Sequence, residues 1–205
     1  MKRSLKMLKK MIISVLTFSV MLVFSACGGE DGDESGTFLS LAKDGTIRSH
    51  IEESFEESYY DKEELEQAVL EQAADYNNRT GTESIAVKKV EVKDGLAQVT
   101  LTYAGVRDYA AFNQVLFFAG TAGDAQSAGY DLDVVLSGVK DSGETLGKAD
   151  ILALKEEKLL VTDINETVKL DGKALYISDN VTVSSGGKIV KRSEDGNKMM
   201  YVVYK

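Results

Sequence analysis

The side chains able to do chemistry in this chain are few, and two of them are singletons, Cys27 and His50. One thiol cannot close an intrachain disulfide, and one thiol with one imidazole cannot complete the four-ligand site that zinc takes. A Ser-His-Asp arrangement would have to use His50, yet the sequence has no G-x-S-x-G elbow to present a nucleophile. His50 lies in TIRSHIEESF beside Glu52 and Glu53 and reads as a surface histidine on a strand. Carboxylates come in pairs, Glu52-Glu53, Glu56-Glu57, Glu63-Glu64 and Glu156-Glu157. Glycoside hydrolysis needs two carboxyls facing across about 5 to 9 Å, whereas sequence neighbours diverge on a helix or a strand. There is also no tryptophan to offer a sugar platform.

Two glycine-containing stretches imitate ligand loops and fail on one residue each. Asp31, Asp33, Ser35 and Gly36 resemble the start of a calcium loop, but its twelfth position is Ala42, where a bidentate Glu is required. The run GTAGDAQSAG, residues 120 to 129, ends on Gly129-Tyr130, not on the Lys-Ser or Lys-Thr of a phosphate cradle. It is expected to pack tightly or to form a short helix after Gly120. Neither a metal nor a cofactor is expected.

The context of the single cysteine is more specific. MKRSLKMLKK carries five basic residues and no acid, and is followed by the apolar run MIISVLTFSVMLVF, Met11 to Phe24. Fourteen helical residues rise only about 21 Å, short of the roughly 30 Å that a stable membrane span covers. The arrangement reads as a signal peptide. The residues at its end, Val23-Phe24-Ser25-Ala26-Cys27, resemble the lipobox of bacterial lipoprotein precursors, with Phe24 standing where a small residue is more usual. The resemblance, confined to residues 1 to 30, implies that Cys27 receives a diacylglycerol thioether, that signal peptidase II cuts before it, and that Cys27 becomes the mature N-terminus. Two acyl chains give stable anchoring where one holds only marginally. The implied location is the extracytoplasmic face of the cell membrane.

Without its first 26 residues the chain keeps 19 of its 24 basic residues and all 33 acids, a net charge of −14. Such a balance disfavours nucleic acid as a partner and leaves the lipid on Cys27 as the contact with the membrane. The sequence divides into a signal peptide (1–26), a flexible acidic Gly-rich linker (27–36) and one domain (37–205).

The elements of that domain are punctuated by glycine, since there is no proline. Asp44-Gly45, Asp94-Gly95, Asp171-Gly172 and Asp195-Gly196 read as hairpin turns, and Gly186-Gly187 as a fifth. Flanks rich in β-branched residues, IAVKKVEV and LAQVTLTY, make the hairpin at Asp94-Gly95 the clearest β element. From Leu159 to Tyr204 six short strands are expected: KLLVTDI, ETVKL, KALYI, NVTV, GKIV and KMMYVVYK. Two helices interrupt the strands. One starts at an Asp61 N-cap with Glu64 in capping-box position, and its apolar face is Leu65, Ala68, Val69, Ala73 and Tyr76. Glu63, Glu66, Glu71 and Asp75 fall on its polar side. The other, DYAAFNQVLFFAG, is apolar nearly all round and is expected to be buried. The fold class is therefore α+β, mainly antiparallel sheet with two helices and a strand-rich C-terminal third.

The run from helix 63–76 into VKKVEVKDGLAQVTLTY is similar to part of sporulation or germination-type lipoprotein domains, where a helix precedes a K-D-G-x-A-x-V hairpin. It implies that helix–hairpin unit and no function. The candidate binding residues are Tyr103, Arg107, Tyr109 and Tyr130, where an apolar segment runs into a loop of small residues, because tyrosine and arginine are favoured at interfaces. The functional expectation is a lipid-anchored, non-catalytic module that binds an envelope protein or an extracellular ligand. The alternative is an extracytoplasmic hydrolase acting on cell-wall or other extracellular polymer through acidic residues.

Overall fold

The computed structural model describes residues 36–193 and 198–205. Cys27, its lipobox, the linker up to Ser35 and the Asp195-Gly196 turn lie outside the described residues. The described part is α+β, with two sheets and four helices, of which two are substantial.

The first sheet has seven strands in the order β11-β12-β9-β1-β2-β4-β3. They are β1 (Phe38–Leu41), β2 (Ile47–Ser54), β3 (Ile85–Lys93), β4 (Leu96–Tyr103), β9 (Thr167–Lys169), β11 (Val181–Ser184) and β12 (Ile189–Arg192). Only β1 and β9 run parallel. The second sheet is antiparallel throughout, in the order β5-β8-β13-β10-β6-β7. Its strands are β5 (Phe117–Gly120), β6 (Leu136–Gly138), β7 (Thr145–Leu146), β8 (Lys158–Thr162), β10 (Ala174–Ile177) and β13 (Met200–Tyr204). All six strands expected after Lys158 are present. The helices are α1 (Lys62–Thr80), α2 (Val106–Asn113), α3 (Ala122–Ser127) and α4 (Lys148–Ala153).

Strand alternation explains how the layers stack. Every residue of β13 is buried: Met200, Val202 and Tyr204 enter the core shared with the seven-stranded sheet, α1 and α2. Tyr201 and Val203 point the other way, into a second core closed by Ala122 and Ala125 of α3 and Ile151 of α4. A central strand buried on both faces must be apolar in nearly every position, which is why MYVVY shows no polar alternation.

Local chemistry fixes the ends of the elements. Asp94 and Gly95 have φ of 52° and 76°, the two left-handed residues that a tight hairpin demands, and β3 and β4 pair from Lys93↔Leu96 outward. Asp61 accepts a hydrogen bond at 3.0 Å from the backbone N–H of Glu64, and Gly81 closes α1 at φ 70°. Asp61→Ala should cost about 1 kcal/mol; a lowered midpoint in thermal unfolding, rescued by Asp61→Ser, is the check.

Three local expectations are corrected. The second helix stops at Asn113, because Gln114 turns left-handed at φ 57° and the chain reverses. Phe117 and Phe118 then form strand β5 and pair with Thr162 and Val161. Aromatic residues suit a pleated half-buried strand as well as a buried helix, and the partner strand β8 decides the choice. Asp171-Gly172 is no hairpin, since it carries the chain from β9 in one sheet to β10 in the other. Its glycine serves close approach: a Cβ there would lie 2.4 Å from the carbonyl carbon of Lys205. His50 is not a surface residue. It is 2 % exposed, stacks on Phe38 at 5.1 Å between ring centroids, and its Nδ1 lies 3.0 Å from Thr100 Oγ1.

Candidate functional site

The four candidate binding residues sit on different parts of the framework. Tyr103 ends β4, Arg107 and Tyr109 belong to α2, and Tyr130 follows α3. Tyr103 and Tyr109 meet edge to face at 5.2 Å and continue into Phe112 at 5.8 Å and Phe117 at 5.0 Å. Tyr76 of α1 joins this series through Phe112 at 5.7 Å, and its hydroxyl donates to Asp108 at 3.1 Å. The aromatics thus tie two helices to the ends of β4 and β5. Both tyrosines are core, at 1 % and 4 % exposure. Burial pushes the Tyr103 phenol up to about 12, with the hydrogen bond from Asn113 acting weakly the other way. Burial pushes Tyr109 up further, with Glu166 adding to it.

Tyr130 belongs to the other core. Phe117 and Phe118 alternate along β5, so Phe118 faces the second cluster, where its ring centroid lies 5.3 Å from that of Tyr130. Burial, and then the charge of Asp163, raise the pKa of Tyr130. Arg107 is exposed on α2. The structure therefore brings Tyr103 and Tyr109 together, places Tyr130 elsewhere, and leaves Arg107 as the solvent-facing member.

The small-residue run resolves into β5, then Thr121, then α3. Thr121 caps that helix by accepting from the Asp124 N–H at 3.1 Å, and Ala122 and Ala125 are buried where their small size lets α3 lie close to the sheet. The carboxylates of α1 singled out in sequence, Glu63, Glu66, Glu71 and Asp75, are all exposed along the helix. A shallow depression of about 140 Å³ lies beside Tyr103, between Thr46, Ser84 and Thr102, and holds one carboxylate, Glu83. Among the described residues no three His, Cys, Asp or Glu side chains converge as a metal centre, and no helix is long and apolar enough to cross a membrane. No protein-family model matches the chain, and neither a curated protein nor a solved structure is detectably similar to it.

Sequence reading missed the face of the seven-stranded sheet opposite α1 and α2, where Phe38, His50 and Thr100 are buried. Its register aligns Lys169, Ser40, Arg48 and Thr102 in one row across β9, β1, β2 and β4. The next row holds Phe38, His50, Thr100 and Lys89, with Lys191 opposite Thr182 at the far edge. The Lys169 ammonium lies 3.5 Å from the centre of the Phe38 ring, a cation–π contact that helps to bury the ring. The alternation in β1, β2 and β4 carries part of this signal, but the strand order is needed to see cations from four strands share one face.

Proposed function

We propose that this chain is a lipid-anchored envelope protein whose α+β domain is a non-catalytic binding module held at the membrane through Cys27. One observation carries the reading: Val23-Phe24-Ser25-Ala26-Cys27 closes an apolar run that follows five basic residues. That order suits a leader drawn into the membrane, with small residues open to a peptidase beside a thiol able to accept a diacylglycerol group. The linker from Gly28 to Gly36, with four glycines and four acids, suits a spacer and not a core. The α1 carboxylates Glu63, Glu66, Glu71 and Asp75 lie exposed along the helix, as a solvated face does.

Detergent phase separation tests the reading. The wild-type chain should partition with detergent, and Cys27→Ala should remain a precursor or move to the aqueous phase. Equal partition of the two would reject the anchor.

A further inference from the structure

We infer that the junction of β2 with α1, where Phe55, Tyr59 and Tyr60 stand among Glu53, Glu56 and Glu57, docks a Lys/Arg-rich protein segment; this names a partner for the binding module proposed above and rests on that reading, not on the anchor. The three rings form one group. Phe55 stacks on Tyr60 at 4.8 Å between ring centroids, and Tyr59 meets Tyr60 edge to face at 4.9 Å. The group is not core. Tyr59 is 70 % exposed, and Phe55 and Tyr60 are half-buried beside it. Aromatic rings gathered at the surface and left open are what interfaces favour.

The loop is tied at both ends, so the rings are placed before a partner arrives. β2 ends at Ser54, and the Phe55 N–H donates to the Gly95 carbonyl at 2.7 Å, which fastens the loop to the turn between β3 and β4. At the other end the Tyr60 N–H donates to the Glu57 carbonyl at 3.0 Å, and Asp61 caps α1. Such preorganisation lowers the ordering cost of docking.

Charge selects the partner. The segment from Glu52 to Glu64 holds seven acids and one base, Lys62. Among the described residues Glu53, Glu56 and Glu57 form no ion pair. Desolvation raises the Glu53 carboxyl above its ordinary value, with no cation to offset it. Desolvation first, then Tyr59, then the charges of Glu57 and Glu53 raise the Tyr60 phenol, so both carboxylates act on the ring group. Several carboxylates beside open ring faces suit several cations carried on one chain, because guanidinium and ammonium groups stack on aromatic rings while they pair with acids. A lipid headgroup suits them less, since its single ammonium brings a phosphate that the same acids repel.

The test uses the full-length protein in detergent and the fluorescence anisotropy of a labelled peptide of repeating Gly-Lys-Gly-Arg. Binding should weaken as salt is raised. Tyr59→Ser should weaken it about two- to five-fold, whereas Tyr59→Phe, which keeps the ring face, should bind as wild type does. Glu56→Gln with Glu57→Gln should weaken it about five-fold. The same charge removed farther along α1, as Glu71→Gln with Asp75→Asn, lies beyond a Debye length at physiological salt and should change binding less than about two-fold. All these side chains are exposed, so every variant should unfold at the wild-type temperature. Equal losses from the two carboxylate pairs would mean that overall charge holds the peptide, and unchanged binding by Tyr59→Ser would mean that the rings take no part; either result overturns the docking patch. So would the absence of peptide binding at low salt, or displacement of the peptide by choline chloride at matched ionic strength, which would assign the patch to a small cation. Detergent partition of the same preparation reports the anchor separately, so the two readings fail independently.

Discussion

Tyr103→Ala and Tyr109→Ala should each destabilise the domain by about 3–5 kcal/mol, the usual cost of removing a buried aromatic ring. Domains of this size have about 5–15 kcal/mol in total, so either change consumes a large share of it. Both rings lie in the series that joins α1, α2, β4 and β5, and neither has room to relax without parting those elements. Arg107→Ala, two residues before Tyr109 on the exposed side of α2, should stay within about 0.5 kcal/mol of wild type. Urea unfolding of the three variants gives the comparison. A stable Tyr109→Ala would mean that the ring is not core. Tyr109→Phe, which keeps the ring, should recover most of the loss.

Alkaline pH should unfold the domain steeply. Tyr103, Tyr109 and Tyr204 all have phenols raised by burial, Tyr103 to about 12, against an ordinary value of 10.0. Below the ordinary value both folded and unfolded chains keep these protons, and the shift contributes nothing to stability. Above it the unfolded chain loses its protons first, so stability falls as pH rises. The slope is about 1.4 kcal/mol per pH unit for each such tyrosine, and Tyr103 alone removes about 3 kcal/mol by the time it titrates in the fold. Ionisation of these buried phenols, followed by phenolate absorbance, should thus coincide with loss of circular dichroism. A single smooth titration of all nine tyrosines with dichroism unchanged would contradict the burial assigned to these rings.

Much of the fold was legible because its signals are local. Asp61 with Glu64, the Asp94-Gly95 pair and the β-branched runs after Lys158 each state a local conformation that the structure keeps. What was not legible depends on partners distant in sequence. Phe117 and Phe118 are a strand because β8 lies beside them, and Asp171-Gly172 is a crossover because Lys205 returns to pack on it. His50 is buried because Phe38, twelve residues earlier, lies opposite it across β1 and β2. The candidate site suffered in the same way. Tyrosines are amphipathic, so their presence between an apolar segment and a glycine-rich stretch fits an interface and a core equally, and only the packing of α2 separates the two.

Mass spectrometry of the N-terminal peptide of the membrane-extracted protein tests the lipid anchor most directly. The account predicts a peptide that begins at Cys27 and carries a thioether-linked diacylglycerol, with residues 1–26 removed. A peptide that retains the leader, or that begins elsewhere with an unmodified Cys27, would contradict it.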